Sequence, residues 1–366
     1  MQVFLFLTIF FLTTFSSKVW AVDFEDAIFP ELATSGRALA MGNAFLSKVD
    51  DSSAVFYNPA GLGSVRHPHL HLSNLHTELN RAWMNASAGG RASDAINNFS
   101  KGFSLDGTRQ ILENKPGSLT HTRFHFMPNF TARYFSAGYL LSQHMRAYMR
   151  QDKSMFEFAK RTDNGPYAAI NLSLFGGVVK FGGSAIYLAR KEIKGEVLPT
   201  QAVTDESLFE KKGKAIIITS GTKITLPISL LPTFSLVYHN SSNHKFSDLG
   251  TLGSPPKIEH SLDGGFSITP QIAQTTRVNF EINYRDLTRE FPGVGSSRKF
   301  LAGMEIDIKR TFFLRIGYGD GYGSAGLGIK SRALEVDLTT YAVDQTTNDF
   351  RGKEDRRFSM TISTGF

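Results

Sequence analysis

The second half of the chain alternates apolar and polar residues with a period of two. This alternation runs through 277–285, 300–309, 312–318 and 334–339, and it continues to the end of the chain through 356–366. A period of two places the apolar side chains on one face of a β-strand and the polar ones on the other. The pattern therefore predicts a series of strands, each with one apolar and one polar face.

The connections between these segments alternate between long and short, which is typical of outer-membrane barrels. The long ones lie at 191–213, 241–258, 288–297 and 344–355, and the short ones at 176–177, 228–231, 270–275, 310–311 and 331–332. One short connection, 319–323, falls where a long one is expected. Further strands at 67–76, 119–135, 138–150 and 166–175 bring the expected total to about 14.

Periodicity alone does not distinguish a soluble β-sandwich from a membrane barrel, because both need one apolar face on each strand. The alternating loop lengths favour the barrel. We therefore predict an all-β fold, a transmembrane antiparallel β-barrel of about 14 strands. Residues 92–115 break the alternation and predict a helix, which lies either in an outer loop or within the lumen.

The first residues are typical of a secretory signal. Met1 to Phe15 is an almost unbroken apolar run, and the small residue Ala21 follows it closely. We expect cleavage after about Ala21, and because no basic residue precedes Lys18, an uncleaved anchor is the alternative. No other segment approaches the ~18 apolar residues of a membrane helix, so the chain is expected to cross a membrane as a closed barrel.

Composition narrows the class of function. The 31 Phe, 11 Tyr and 33 Gly favour strands and tight turns over helices. The net charge of +7 is spread over the chain with both signs interleaved, so no nucleic-acid partner is predicted. The chain has no cysteine, which fits an exported protein without disulfide bonds.

Two stretches near the amino terminus carry a specific motif. Residues 33–45 read ATSGRALAMGNAF, and residues 50–62 read DDSSAVFYNPAGL. They resemble the start of the FadL-type superfamily of outer-membrane transport barrels, including its PorV-like and TraF-like branches. The segment 315–328 also resembles the carboxy-terminal strands of the TraF-like branch. The motif residues are Gly36, Arg37, Met41, Gly42, Asp50, Asp51, Asn58, Pro59, Ala60 and Gly61.

After the predicted signal peptide at 1–21, the resemblance implies an N-terminal hatch or plug at 22–64 and an outer-membrane β-barrel at 65–366. The plug is expected either to seal the barrel without moving or to act as a movable gate. The resemblance also implies transport, the uptake of hydrophobic small molecules such as long-chain fatty acids. The alternative is a non-transporting scaffold, or a partner of a secretion or surface-attachment system, as PorV-like relatives are.

The carboxy terminus resembles that of bacterial outer-membrane barrels. Phe358 lies on the apolar face of the last segment and the chain ends on Phe366, as in the insertion signal of such barrels. The resemblance places the protein in the outer membrane of a Gram-negative bacterium. The expected partners are outer-membrane lipid, the barrel-assembly machinery, and either a hydrophobic ligand or a partner protein.

Histidines form the richest polar cluster of the sequence. His69 and His71 alternate with leucines, and His121, Arg123 and His125 lie opposite phenylalanines, so both sets are expected to face the lumen. On neighbouring strands the imidazoles could converge on a metal ion. Arg123 repels a cation, and no carboxylate or cysteine accompanies the histidines. We therefore predict polar filling of the lumen, with no metal and no cofactor.

Charged residues of the second half are also expected to face the lumen. They are Arg277, Glu281, Arg285, Glu305, Asp307, Lys309, Arg315, Lys330, Glu335, Asp337 and Arg357. Both signs occur on neighbouring strands, which predicts cross-strand ion pairs and a largely closed wall, with a polar permeation path as the alternative. The sequence contains no G-x-S-x-G or H-E-x-x-H motif, so we predict no enzymatic activity.

Overall fold

The computed structural model describes residues 22, 32–88, 94, 97–346 and 350–366. The predicted signal peptide at 1–21, its cleavage after Ala21 and residues 23–31 of the predicted plug lie outside the described part. Within it, the strands form one antiparallel sheet. The strands are β1 (His69–Asn80), β2 (Leu119–Phe126), β3 (Asn129–Ala132), β4 (Phe135–Met149), β5 (Phe156–Leu174), β6 (Val179–Val197), β7 (Glu210–Thr225), β8 (Thr233–His239), β9 (Ser261–Ile268), β10 (Gln271–Ala273), β11 (Thr276–Tyr284), β12 (Phe300–Ile308), β13 (Phe312–Gly319), β14 (Tyr322–Lys330), β15 (Leu334–Asp344) and β16 (Glu354–Gly365).

The sheet closes into a barrel. Consecutive strands pair with each other, β16 pairs with β1, and β9 pairs with β11. The short β3 continues β2 after Met127 and Pro128, since both pair with β1 and β4, and β10 lies in the turn between β9 and β11. The barrel therefore has 14 strands. The predicted all-β barrel of antiparallel strands is confirmed.

The two faces of the strands differ as a lipid environment requires. Polar and charged residues on the inward face are buried, while large apolar residues on the outward face stay exposed. This is the reverse of a water-soluble barrel, and it identifies a barrel that spans a membrane. The exposed outward residues include Tyr139, Leu141, Ile170, Leu172, Phe181, Ile216, Phe234, Leu236, Phe280, Ile282, Phe312, Leu314, Ile316, Leu327, Leu338, Phe358 and Met360.

The two edges of the barrel differ in the length of their connections. We call one the turn edge, because short turns at 133–134, 175–178, 226–232, 309–311 and 331–333 lie there. The carboxy terminus lies at this edge too, where Phe366 and Leu70 exchange backbone hydrogen bonds of 3.1 and 3.2 Å. The opposite edge, the loop edge, carries the long connections and the tight turn at 320–321. This arrangement agrees with the alternation in the sequence.

One predicted loop, 191–213, is strand at both of its ends. β6 continues to Val197 and β7 begins at Glu210, so the connection is only 198–209. Charge composition suggested a loop, but the charges pair across strands: Lys191 binds Glu210 at 2.5 Å and Arg161 binds Glu192 at 3.1 Å. Such cross-strand pairs stabilise a sheet. For the same reason β5 begins at Phe156 instead of near residue 166.

The described helices are short. They are α1 (Gly36–Ala40), α2 (Ala54–Tyr57), α3 (Arg81–Ser87) and α4 (Leu105–Glu113). α4 lies within the segment 92–115 that was predicted to be helical, of which residues 92, 93, 95 and 96 lie outside the described part. α3 was not predicted. Its first turn is capped by Asn80, whose side chain accepts a hydrogen bond of 2.9 Å from the backbone N–H of Trp83. No helix in the described ranges is long and apolar enough to cross a membrane.

α4 covers the outer face of the barrel at the loop edge. Leu105 and Leu112 are buried against Met145, Met149 and Phe156, which point outward from β4 and β5. Of the two sequence-based alternatives, an outer-loop helix is therefore correct and a helix in the lumen is wrong. β5 and β6 have 19 residues each, whereas a membrane strand needs about 9–11, so their outer halves rise above the lipid and need this cover.

A β-bulge in β1 changes which side chains face inward. The register with β16 shifts between His71 and Ser73. Before the bulge Leu70 and Leu72 point outward, while after it the inward positions are taken by Asn74 and every second residue to Asn80. The bulge thus turns His76 and Glu78 into the lumen, where strict alternation from Leu72 would have pointed them at lipid.

The amino-terminal residues 32–65, which we call the N-terminal segment, lie inside the barrel. α1 contacts β13 to β16, and the 3₁₀ turn Pro59–Ser64 contacts β5 to β7 on the other side of the lumen. The backbone approaches the wall closely at Gly317, where a Cβ atom would overlap Met41 and Gly42. Glycine on the wall is therefore required for this contact.

Candidate functional site

The charged centre of the site joins the N-terminal segment to the barrel wall. Arg37 donates to both oxygens of Glu305, with Nε–Oε2 and Nη2–Oε1 distances of 2.7 and 2.8 Å. Its Nη1 atom also binds Asp50 at 2.7 Å and Asp51 at 3.0 Å. A planar guanidinium suits this bidentate geometry, so Arg37 fixes both halves of the motif to β12. Arg315 extends the network, binding Glu305 at 2.8 Å and also Asp337.

The protonation state of Asp50 follows from this contact. Burial acts to raise the pKa of Asp50, but the Arg37 guanidinium and the Lys48 ammonium outweigh it. The pKa of Asp50 therefore lies well below its usual range, and the carboxylate stays ionised at neutral pH. The link between the two motif halves is an ion pair over the physiological range.

Further hydrogen bonds fix the middle of the segment. Glu281 accepts from the backbone N–H groups of Ser47 at 2.6 Å and Lys48 at 2.9 Å. The hydroxyl oxygens of Ser47 and Ser235 are 2.6 Å apart. On the opposite wall, Ser184 donates to the carbonyl of Val55 at 2.7 Å. The segment is therefore bonded to strands on both sides of the lumen.

The second half of the motif forms a compact turn. The Asn58 side chain accepts from the backbone N–H of Ala60 at 3.0 Å and donates to the carbonyl of Leu46 at 2.9 Å. Pro59 begins the 3₁₀ turn, where its missing N–H costs nothing. Gly61 lies so close to Val49 that a side chain would collide with it. The first half is held similarly, since the carbonyl of Gly36 accepts from Thr339 at 2.9 Å.

One side of the lumen is apolar, although barrel lumens of this kind are usually polar. We call it the apolar strip, and it consists of inward-facing Leu140, Tyr167, Ile186, Leu188 and Ile217 on β4 to β7. Val55 and Phe56 of the N-terminal segment pack against the strip, with the rings of Phe56 and Tyr167 at 5.2 Å. A cavity of about 60 Å³ remains beside Phe56, Ile186 and Ile217. The strip was not predicted, because alternation marks apolar positions as lipid-facing.

A histidine network fills the lumen next to the charged centre. Glu78 is fully buried and accepts from Thr34 and the Tyr341 hydroxyl, both at 2.8 Å. His76 and His121 contact the same carboxylate at 2.7 and 3.3 Å. These contacts satisfy the buried acid with partners from the segment and three strands.

The predicted histidines fall into two groups. His121, Arg123 and His125 face the lumen, and the ring of His125 stacks on His76 at 4.4 Å. His69 and His71 lie far along β1 at the turn edge, so these two sets do not come together. In the described part of the chain, donor atoms that could hold a metal ion converge elsewhere, at Glu259, His260 and Glu290 in the outer loops.

The structure also locates the predicted lumen charges. Arg277 pairs in register with Asp307, and Glu305 with Arg315, all on inward positions of β11 to β13. These strands form the charged wall opposite the apolar strip. Lys309 was predicted to face the lumen, which is wrong: it lies exposed in the turn after β12, where a φ of 54° ends the alternation.

The comparisons with known proteins place the fold. No family model and no curated protein matches the chain. Among solved structures, the CymD monoaromatic hydrocarbon channel aligns at 9% identity over 93% of this chain and 98% of its own, with a TM-score of 0.52. The toluene transporter TodX of P. putida aligns at 11% identity over 91% and 99%, with a TM-score of 0.51. A Pseudomonas aeruginosa FadL homologue aligns at 10% identity over 90% and 98%, with a TM-score of 0.45.

These likenesses concern the fold. The resemblance to FadL-type barrels is supported at that level by CymD and TodX, which are described as a channel and a transporter and not as enzymes. The assignment to the PorV-like or TraF-like branch stays a prediction, as does the insertion signal at Phe358 and Phe366.

Proposed function

We propose that this protein is a channel for hydrophobic small molecules in the outer membrane of a Gram-negative bacterium. The observation that carries the proposal is the apolar strip, an inward-facing apolar surface in a lumen whose other inward positions are largely polar. Apolar side chains facing inward offer a hydrophobic molecule a path that water and ions do not share. No catalytic step is needed for this function.

The fold supports the same class of substrate. CymD is described as a channel for monoaromatic hydrocarbons and TodX as a toluene transporter. For the substrate of this chain we propose only the hydrophobic character that those molecules share. Long-chain fatty acids, which the sequence resemblance implied, remain one candidate class beside small aromatics.

The N-terminal segment acts as a plug in this proposal. Val55 and Phe56 cover the apolar strip, while Arg37 and Glu281 hold the segment to the charged wall. A molecule that moves along the strip meets the segment before it reaches the turn edge. Passage therefore requires the segment to shift, and the bonds to the wall set the free energy of that shift.

Uptake by intact cells tests the proposal, because lipopolysaccharide in the outer leaflet blocks spontaneous entry of hydrophobic molecules. Cells that produce the protein should take up radiolabelled toluene or oleate faster than cells that lack it. Ile217→Gln places an amide on the apolar strip and should reduce this uptake about tenfold, in line with the cost of desolvating an unpaired amide. Lys212→Gln, at an exposed outward position of the same strand near the loop edge, is the matched control and should behave like the wild type.

A non-transporting scaffold is the second candidate function, and the density of bonds around the segment favours it. Arg37 alone makes contacts to three carboxylates, and most residues of α1 are completely buried. A scaffold needs such a rigid seal and no path. In that case neither toluene nor oleate would enter faster than in control cells, and a stoichiometric envelope protein would co-purify with the barrel.

A further inference from the structure

A second cavity, of about 470 Å³, lies at the turn edge between the N-terminal segment and the charged wall. Residues of the segment, of β1 and of the turns after β12 and β14 line it. It is separate from the apolar strip, which lies on the opposite side of the lumen. Its lining is rich in ionisable side chains, so its ligand chemistry differs from that of the proposed hydrophobic path.

The carboxylates that line this cavity already have partners in the described part of the chain. Each one either binds a cation or accepts a backbone hydrogen bond, with distances of 2.6 to 3.0 Å where the contact is of normal length. Among the described residues Asp307 has no cationic partner, and it lies opposite Arg277 in the cross-strand register. The pairs are Asp50, Asp51 and Glu305 with Arg37, Asp337 with Arg315, Glu335 with Lys330, and Asp307 with the backbone N–H of Arg310.

Four arginines of the same cavity have unused donors. The guanidinium groups of Arg66, Arg277, Arg310 and Arg332 make no hydrogen bond or ion pair with any residue that the structure describes. All of them line the same cavity. Burial lowers the pKa of Arg66, and repulsion from Arg310 and Arg277 lowers it further, while attraction to Asp50 and Asp307 opposes this shift. His71 adds a buried ring nitrogen, Nδ1, that has no partner.

An anion that enters this cavity can bridge guanidinium donors that no described acceptor uses. We infer that this cavity binds a phosphate group, held by Arg66, Arg277 and Arg310. A phosphate suits the cluster better than a carboxylate, because it presents more acceptor oxygens and more than one negative charge to several guanidinium forks. The site is independent of the proposed passage of hydrophobic molecules.

Two sources could supply the phosphate. The turn edge is the periplasmic edge in outer-membrane barrels, so free phosphate in the periplasm has access to it. The headgroup of an anionic phospholipid in the inner leaflet lies at the same level. Both sources share the chemistry of the site, and they differ in whether an attached lipid is needed for binding.

Equilibrium dialysis of the full-length protein in detergent tests the inference. The first probe is radiolabelled inorganic phosphate at constant ionic strength in chloride. The second is labelled dihexanoyl phosphatidylglycerol, with dihexanoyl phosphatidylcholine as the zwitterionic comparison. Arg277→Gln and Arg310→Gln are examined singly, since Arg310 lies in an exposed turn and its substitution leaves the fold intact. Arg133→Gln is the matched control, an exposed arginine at the same edge that does not line the cavity.

We expect saturable binding to the wild type that weakens about tenfold in each cavity variant and stays unchanged in Arg133→Gln, as for the loss of a charged hydrogen bond. Binding of inorganic phosphate identifies free phosphate as the source, whereas binding of phosphatidylglycerol alone identifies the headgroup. The inference is overturned if neither probe binds better than its comparison, or if the cavity variants bind as the wild type does. Uptake of toluene or oleate does not enter this test, so its failure would be distinguishable from that of the channel.

Discussion

At the scale of single residues, the sequence motif identified the charged centre around Arg37 but not the buried Glu78 beside it. Arg37, Asp50 and Asp51 stand out because they belong to a specific motif. Glu305, their partner on the wall, was predicted to face the lumen from simple alternation. Glu78 and His76 were missed because a one-residue bulge in β1 reverses the alternation, and nothing in the local sequence marks that bulge.

Removing the Arg37 guanidinium should weaken the whole assembly. Arg37→Met keeps most of the side-chain volume but leaves three carboxylates without their shared cation, so we expect a loss of about 3 kcal/mol in the free energy of unfolding. Equilibrium unfolding in guanidinium chloride measures it. Arg332→Met, at an exposed and unpaired arginine, should change the stability by less than about 0.5 kcal/mol. Equal stability of the two variants would contradict a structural role for the Arg37 network.

Asp286 should make an outer loop sensitive to pH. It accepts backbone hydrogen bonds from Glu290 at 2.8 Å and Phe291 at 3.0 Å, and it binds Lys299 at 2.6 Å. Burial acts to raise its pKa, but Lys299 and these N–H groups outweigh it, so the folded pKa lies below the usual value. A depressed pKa adds stability above the unfolded value of about 3.9, and this stability is lost as the pH falls through the folded pKa.

Hydrogen exchange in residues 287–298, corrected for the intrinsic rate at each pH, measures this effect. Protection should be full at pH 7 and fall below about pH 4. Asp286→Asn should lower the protection at pH 7 by about 1–3 kcal/mol and remove its pH dependence. A wild-type loop that stays equally protected at pH 3 would show that the carboxylate does not hold it.

At the scale of secondary-structure elements, the position of a residue along the barrel axis decides whether its outward apolar side chain meets lipid or protein. The outward faces of β13 and β14 meet lipid, and there the sequence pattern gave the correct strands. The outer halves of β4 to β6 rise above the lipid, and their outward Met145, Met149 and Phe156 are covered by α4. Apolar residues that meet lipid and apolar residues that meet a loop helix look alike in a sequence, so this contact could not be predicted.

Leu112 should hold α4 to the barrel without affecting the barrel itself. It is completely buried in this contact. Leu112→Ala should cost about 2–4 kcal/mol locally, so that hydrogen exchange and proteolysis increase in residues 100–115. The folded barrel should keep its resistance to SDS, as judged by heat-dependent mobility on gels. Gln110→Ala, at an exposed position of the same helix, serves as the control and should leave exchange unchanged.

At the scale of the whole molecule, barrel closure follows from the sequence whereas the interior does not. The strand number and most of the inward charges follow from period-two patterns, and the order of long and short connections follows from the polar stretches between them. These signals are local. The apolar strip and the cavity at the turn edge depend on which strands face each other across the lumen and on where the N-terminal segment lies between them. Those are long-range contacts, and a single sequence carries no local signal for them.

In the proposed channel, the N-terminal segment closes a hydrophobic path and must move to open it. The chain has no cysteine, so Ser47→Cys combined with Ser235→Cys introduces a single pair at positions whose hydroxyl oxygens are 2.6 Å apart. Oxidation should link the segment to β8 through a disulfide, and reduction should release it. Ser47→Cys alone controls for the oxidant.

The decisive measurement is the uptake of radiolabelled toluene or oleate by asymmetric vesicles with a lipopolysaccharide outer leaflet that contain this double variant. We predict uptake close to that of the wild type when the pair is reduced and little uptake when it is oxidised. Equal uptake in both states would contradict a moving segment, and no uptake in either state would contradict the channel itself.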